Sequence, residues 1–251
     1  MEYTLPQLDS EQLGPTVAYI RDLALVLGSL QRAFLPVDPH DWQHGLTVGM
    51  RGLYAQPFSV AGERLRASLD LVTYRFRLDG TRWLFDEYAG PEVFNNVRSW
   101  LESRSVQAHM EVPEFSTPPR RFESDQAADY AQALWWFDHQ FGQIKDQIKG
   151  GLTSPVLLYP HHFDLSLVWF PHNDKRQYGL GFSPGDETIN EPYVYLTAYP
   201  TSDEFAARPL PVGAFWQTKD FSGRVITYAA LRSAKSPEQL LRDFCDVMLA
   251  S

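Results

Sequence analysis

Between Leu13 and Phe34 the apolar residues Leu13, Val17, Ile20, Leu23, Ala24, Leu27, Leu30 and Phe34 recur every three or four positions, the spacing that lines one side of an α-helix. A stripe of that length has to be covered by other parts of the chain, so it constrains the fold more than any other feature. Asp9 or Ser10 is placed to cap it, and Glu11 and Gln12 occupy its first turn. Pro36 and Pro39 stop it, because proline lacks the N–H that a further turn would need.

The same order of patterns then occurs twice. After the first helix, Leu46, Val48 and Met50 alternate with Thr47, Gly49 and Arg51, and Leu65, Ala67, Leu69 and Leu71 alternate with Arg66, Ser68 and Asp70. The period-two pattern continues from Val72 to Leu78 on the other parity, with turn signals at Gln56-Pro57, Ala61-Gly62 and Asp79-Gly80. Gly90-Pro91-Glu92 opens a helix expected to run to about Arg104. A second stripe (Ala127, Tyr130, Ala131, Leu134, Phe137, Phe141, Ile144, Ile148) ends at Gly150-Gly151. Strand-like stretches follow at Val156 to Tyr159, Phe163 to Phe170, Tyr193 to Tyr199, Ala214 to Lys219 and Arg224 to Tyr228. Ser236-Pro237-Glu238-Gln239 then starts a closing helix with a capping box. The expected fold is therefore α+β with two similar halves, each helix–antiparallel strands–helix, packed as one compact unit. The N-terminal half covers residues 1–110, a Pro-rich linker 111–123, and the C-terminal half 124–251.

Composition supplies the core such a fold needs: of 251 residues, 44% are hydrophobic, 14% aromatic and 21% charged. A net charge of -9 disfavours nucleic acids and anionic membrane surfaces, and the basic pairs Arg120-Arg121 and Lys175-Arg176 are too short to reverse it. The single cysteine, Cys245, cannot form an intramolecular disulfide and is expected as a small buried apolar residue. The first residues lack the basic start and continuous apolar run of a signal peptide, and no stretch reaches the roughly 18–20 apolar residues of a membrane span. The expected location is cytoplasmic.

Chemistry concentrates in Ser154-Pro155-Val156-Leu157-Leu158-Tyr159-Pro160-His161-His162-Phe163-Asp164-Leu165. Read as a strand, this run puts His161 on the apolar side with Tyr159, Phe163, Leu165, Leu167 and Trp169. It puts His162 on the polar side with Asp164 and Ser166, while Pro160 introduces a bend that can change the parity. A His-x-Asp pair on one face either orients an imidazole as a general base or supplies two metal ligands awaiting a third. Asp186, Glu187 and Glu191 lie in a turn-rich loop able to supply that third group, and His162, Asp164 and Glu191 form the weaker, metal-binding alternative. Tyr193, Tyr195 and Tyr199 share a strand face with Glu191 and Thr197 and are able to line a cleft. With Trp216, the candidate ligand-binding set is His161, His162, Asp164, Asp186, Glu187, Glu191, Tyr193, Tyr195 and Trp216. A purely structural role for both histidines, hydrogen-bonded within the fold, stands beside this reading. The cluster Asp38-Pro39-His40-Asp41-Trp42-Gln43-His44 is expected as a solvated loop, and Trp135-Trp136 as packing residues. There is no Gly-rich phosphate loop, Gly-x-Ser-x-Gly elbow or Cys-x-x-Cys pair, which disfavours the common nucleotide, hydrolase and redox classes and leaves the cofactor unknown.

Four patches carry a resemblance. They are Leu53 to Pro57; Ser154-Pro155-Val156 leading to Pro160-His161-His162-Phe163-Asp164-Leu165; Phe182-Ser183-Pro184-Gly185-Asp186-Glu187 with Glu191-Pro192-Tyr193; and Phe215-Trp216 with Phe221-Ser222-Gly223. Together they resemble a family of uncharacterised bacterial proteins, domain of unknown function 5996. The resemblance implies a bacterial cytoplasmic protein and names no activity. Relatives are associated with extra histidines near the tryptophan where this chain has Phe215 and Gln217, a departure that weakens a metal site. Three functions are expected as rivals: binding of a small ligand in a cleft over the C-terminal half's sheet, an enzyme using His162 with Asp164 or Glu191 as acid/base or metal-binding groups, and a homo-oligomer formed through Trp135, Trp136 or Trp169.

Overall fold

The first apolar stripe is α1 (Ser10–Phe34), ending just before Pro36 as expected. The structure, a computed structural model, describes residues 4–85, 87–116, 122–172 and 175–249. α1 is covered more fully than a single stripe requires, since every residue from Asp22 to Gln31 is buried and its middle has no solvent face. By length and composition it is apolar enough to cross a membrane, and 78% of that window is buried inside the structure. Polar side chains carried into this stretch find partners. Asp22 accepts from the Ser116 N–H and hydroxyl, both at 3.0 Å, and Ser29 donates to the Glu111 carbonyl at 3.1 Å. Gln31 donates to the Gln43 and Gly45 carbonyls at 2.9 and 3.0 Å and accepts the Gln56 N–H at 2.6 Å. Left unmade, each such bond would cost about 1–3 kcal/mol.

The chain forms two compact units. One comprises Glu11–Trp135 and Leu157–Phe163. Here β1 (Thr47–Gly49) and β2 (Gly52–Tyr54) are followed by a separate hairpin of β3 (Phe58–Val60) and β4 (Glu63–Leu65), then by β5 (Ala67–Asp70), β6 (Arg75–Leu78) and β7 (Thr81–Leu84). The sheet is antiparallel in the order β1-β2-β5-β6-β7. Asp79 and Gly80 make the expected tight turn, both with positive φ (41° and 85°). Two strands are shorter than the alternation predicts. Met50-Arg51 is a turn before Gly52, whose φ of 144° and contact with the Leu69 carbonyl admit only glycine. Residues 71–74 also turn, because the Asp70 carboxylate accepts the Val72 and Thr73 N–H groups at 3.1 and 2.8 Å while pairing with Arg51 and Arg77. Burial alone would raise the Asp70 carboxyl; the hydrogen bonds from Thr73 and the Arg51 guanidinium win and hold it below the usual range. α2 (Gly90–Glu102) begins at the expected Gly-Pro-Glu. Of the linker expected at 111–123, residues 117–121 lie outside the described residues, Arg120-Arg121 included.

The other unit comprises Met1–Ser10, Trp136–Val156 and Asp164–Ser251, so the division falls within α3 (Ser124–Gln147). β8 (Leu152–Thr153) follows α3. β9 (Leu157–Tyr159) belongs to the first unit, where Leu158 bridges Leu46. β10 (Asp164–Phe170), β11 (Gln177–Ser183) and β12 (Tyr193–Tyr199) precede the short α4 (Asp203–Ala207), and β13 (Ala214–Gln217) and β14 (Gly223–Thr227) complete an antiparallel sheet ordered β13-β14-β12-β11-β10-β8. α5 (Tyr228–Ser233), α6 (Pro237–Phe244) and α7 (Asp246–Leu249) close the chain, with Ser236 capping α6 through the Gln239 N–H at 3.3 Å. One sheet face buries Leu165, Leu167, Leu180, Phe182, Val194 and Leu196, and Phe137 of α3 stacks on Phe182 with ring centres 4.0 Å apart. Helices with antiparallel sheets make this an α+β protein. The order helix–strands–helix recurs, while the strand orders of the two sheets differ.

α3 also carries a carboxyl placed against its chemistry. Burial pushes Asp138 from 3.8 up to about 6, with the neighbouring His139 pulling the other way. The native protein then binds more protons than the unfolded chain between about pH 4 and 6, so stability falls as pH rises through that window. Asp138→Asn should raise stability by about 1–2 kcal/mol at pH 8, the partial exposure reducing the effect. The gain should vanish at pH 4, and melting curves of both proteins at the two pH values check this.

Candidate functional site

In the second unit β10 and β11 bring Trp169 opposite Tyr178, and their rings stack with centres 5.2 Å apart. Phe205, from α4, meets Tyr178 edge-on at 6.0 Å. All three are nearly closed to solvent, at 2%, 5% and 1% exposure, yet they line a cavity of about 350 Å³. That size admits a small molecule, and the little that stays open of the three rings joins Pro171 and Val247 in an apolar floor. The floor is fixed by its surroundings. Trp169 Nε1 donates to the Gly150 carbonyl at 2.8 Å. The adjoining Gly151 sits at φ 92° against the Phe170 carbonyl, where no Cβ fits.

Charged groups complete the lining: Lys149 just after α3, His172 and Arg176 between β10 and β11, and Glu204 and Arg208 in and after α4. Arg176 donates to the Ser202 hydroxyl at 2.7 Å and lies over the Tyr178 ring at 5.9 Å. The same Ser202 caps α4 by accepting the Phe205 N–H at 3.2 Å, so one hydroxyl ties a rim cation to the helix that carries an aromatic wall residue. Arg208 pairs with Asp246 at 3.2 Å, and Asp246 also takes Arg224 at 2.8 Å. Arg224 is wholly buried, with its guanidinium over the Phe205 ring at 5.1 Å. One carboxylate thus serves two guanidiniums. Among the described residues, three permanent cations and one carboxylate line the cavity, in a chain of net charge -9.

The residues singled out in the sequence are distributed differently. Pro160, His161, His162 and Phe163 form a turn, not a strand, with Phe163 at φ 55° and its N–H closing onto the Tyr159 carbonyl at 2.7 Å. The strand begins at Asp164, so the parity argument for the two histidines does not apply, and both are exposed. His161 sits beside α1: Arg32 Nη1 lies 3.2 Å from its Nε2, and Arg21 donates to its carbonyl at 3.2 Å. Burial first, then Arg32, His162, Arg21 and His44, lower its pKa, and because arginine can only donate, Nε2 accepts. Asp164 accepts the Tyr195 hydroxyl. Asp186 accepts the Tyr193 hydroxyl and the Thr188 and Ile189 N–H groups, which shapes the loop. Burial works against Asp186, but these bonds hold it below its ordinary value, while burial and Asp186 together drive the Tyr193 phenol upward. Glu187 is exposed, and Glu191 is half-buried with its backbone against Gly185. Trp216 meets the cavity residue Phe205 edge-on at 5.4 Å. Among the described residues, no group of three or more His, Cys, Asp or Glu side chains is arranged to hold a metal ion, the trio His162, Asp164 and Glu191 included.

The cavity residues Lys149, His172, Arg176, Glu204 and Arg208 were not picked out from sequence. They come from three separate segments of the chain, and the one visible signal, the basic pair Lys175-Arg176 in an acidic chain, bears on binding only once the fold is known. Fold and cavity together define an α+β protein with a cation-rimmed aromatic pocket. Residues 172–250 match a family of unknown function, DUF5996, and most of the cavity lining falls inside that span. The match bears out the resemblance seen in the sequence, taking in the patches around Phe182 to Tyr193 and Phe215 to Gly223 and leaving the two earlier patches outside. No curated protein and no solved structure matches the chain.

Proposed function

We propose that the protein binds a small organic anion in the cavity lined by Trp169, Tyr178 and Phe205. The observation that supports this reading is the convergence of Lys149, Arg176 and Arg208, from three separate connections, on one buried aromatic wall. A cleft over the C-terminal half's sheet is retained, and the tyrosine face gives way to the opposite face. The rival reading, an enzyme working through His162 with Asp164 or Glu191, has less behind it, because Asp164 already accepts the Tyr195 hydroxyl.

Amide resonances followed during titration with a set of small carboxylates, sulfonates and phosphates test the proposal. Shifts should gather at residues 149–151, 169–172, 175–178 and 204–208. Shifts gathered instead around 186–195, or none with any anion, would reject it. Arg176→Gln should weaken the best of these anions about tenfold, the worth of one charge-assisted hydrogen bond, and calorimetry against the unaltered protein measures it.

A further inference from the structure

We infer that the anion is a phosphate monoester with an apolar organic part. The inference rests on the cavity being the binding site and specifies what it takes. A carboxylate offers two coplanar oxygens, which a single arginine fork fills. A phosphate monoester offers three terminal oxygens pointing apart, and it needs donors from several directions. Here Lys149, His172, Arg176 and Arg208 approach from the end of α3, the β10–β11 connection and the segment after α4. Two of them are held from behind, Arg176 by Ser202 and Arg208 by Asp246. The charge count points the same way. Asp246 is shared between Arg208 and the buried Arg224, so one negative charge faces two positive ones. Among the described residues, Glu204 offsets Arg176 and Lys149 adds one more positive charge, so a doubly charged ligand balances the surplus better than a singly charged one. The apolar floor, to which Trp169, Tyr178, Phe205, Pro171 and Val247 contribute, then accounts for the organic part, since apolar surface gives bare inorganic phosphate no partner.

Calorimetric titration of the full chain with phenyl phosphate, benzoate, inorganic phosphate and adenosine 5′-monophosphate tests this. Phenyl phosphate should bind at least tenfold more tightly than benzoate, which keeps the ring and loses the tetrahedral dianion, and at least tenfold more tightly than inorganic phosphate. Lys149→Ala removes an exposed side chain; it should weaken phenyl phosphate five- to tenfold, weaken benzoate by a smaller factor, and leave the melting temperature unchanged. Tighter binding of adenosine 5′-monophosphate than of phenyl phosphate supports a nucleotide source, and the reverse supports a simpler aryl phosphate. Benzoate equal to or tighter than phenyl phosphate, with amide shifts still at the cavity, overturns the phosphate assignment and leaves the anion site standing. If neither phosphate ester binds while another organic anion shifts the cavity amides, the assignment fails alone. If no anion shifts them, both readings fail.

Discussion

Asp246→Ala is expected to lower the unfolding free energy by about 3 kcal/mol, the low end of what is lost when one member of a buried ion pair is removed. Asp246 itself is 41% exposed, which keeps the figure at that end, but its partner Arg224 has no exposure at all. Without the carboxylate the guanidinium is left, among the described residues, with its place over Phe205 and a long contact with the Phe205 carbonyl at 3.5 Å. A stranded charge in that position is costly because the interior screens it poorly and water cannot reach it. Urea unfolding followed by tryptophan fluorescence measures the loss. The double variant Asp246→Leu with Arg224→Met should recover much of it, since removing both charges removes the penalty. A loss under 1 kcal/mol for the single variant would mean that Arg224 has another way to be neutralised.

Phe137→Ala should cost about 3–5 kcal/mol, and for a different reason. The ring is fully buried, stacks on Phe182 at 4.0 Å, and meets Trp136 edge-on at 4.8 Å and Phe141 at 5.8 Å. Those neighbours sit on a sheet and on the helix itself, so they cannot close over the space a lost ring leaves. Phe137→Leu refills most of the volume and should recover more than half of the loss. Equal destabilisation by both variants would show that the stacking geometry, and not the filled volume, carries the energy.

The elements legible in the sequence are those with an unbroken period. The stripes that became α1 and α3, the Gly-Pro-Glu start of α2 and the Ser-Pro-Glu-Gln start of α6 each need only local information. Burial of α1 on all sides was not legible, because Asp22, Ser29 and Gln31 read as a polar face until their partners at Ser116, Glu111 and Gly45 are known. The strand read through His161 and His162 failed at Phe163, where a positive φ turns the chain; Pro160 signalled a bend in the run but not that the bend would replace the strand. Two pairs within the candidate set do meet, Tyr195 with Asp164 and Tyr193 with Asp186, but as hydrogen-bonded supports of the sheet face and its loop. The cavity escaped because its cations are spread from Lys149 to Arg208 and share no spacing; only the pairing of Trp169 with Tyr178 brings their connections to one end of the sheet.

The shared carboxylate at position 246 couples two properties that most proteins keep apart. Removing that carboxylate would free Arg208 to grip a guest but strand Arg224 and loosen the framework, and any change that pins Arg208 harder dulls its reach. Selection for tighter capture therefore has to act through Lys149 or Arg176, so natural variation in affinity should be found at those two positions before it is found at 208.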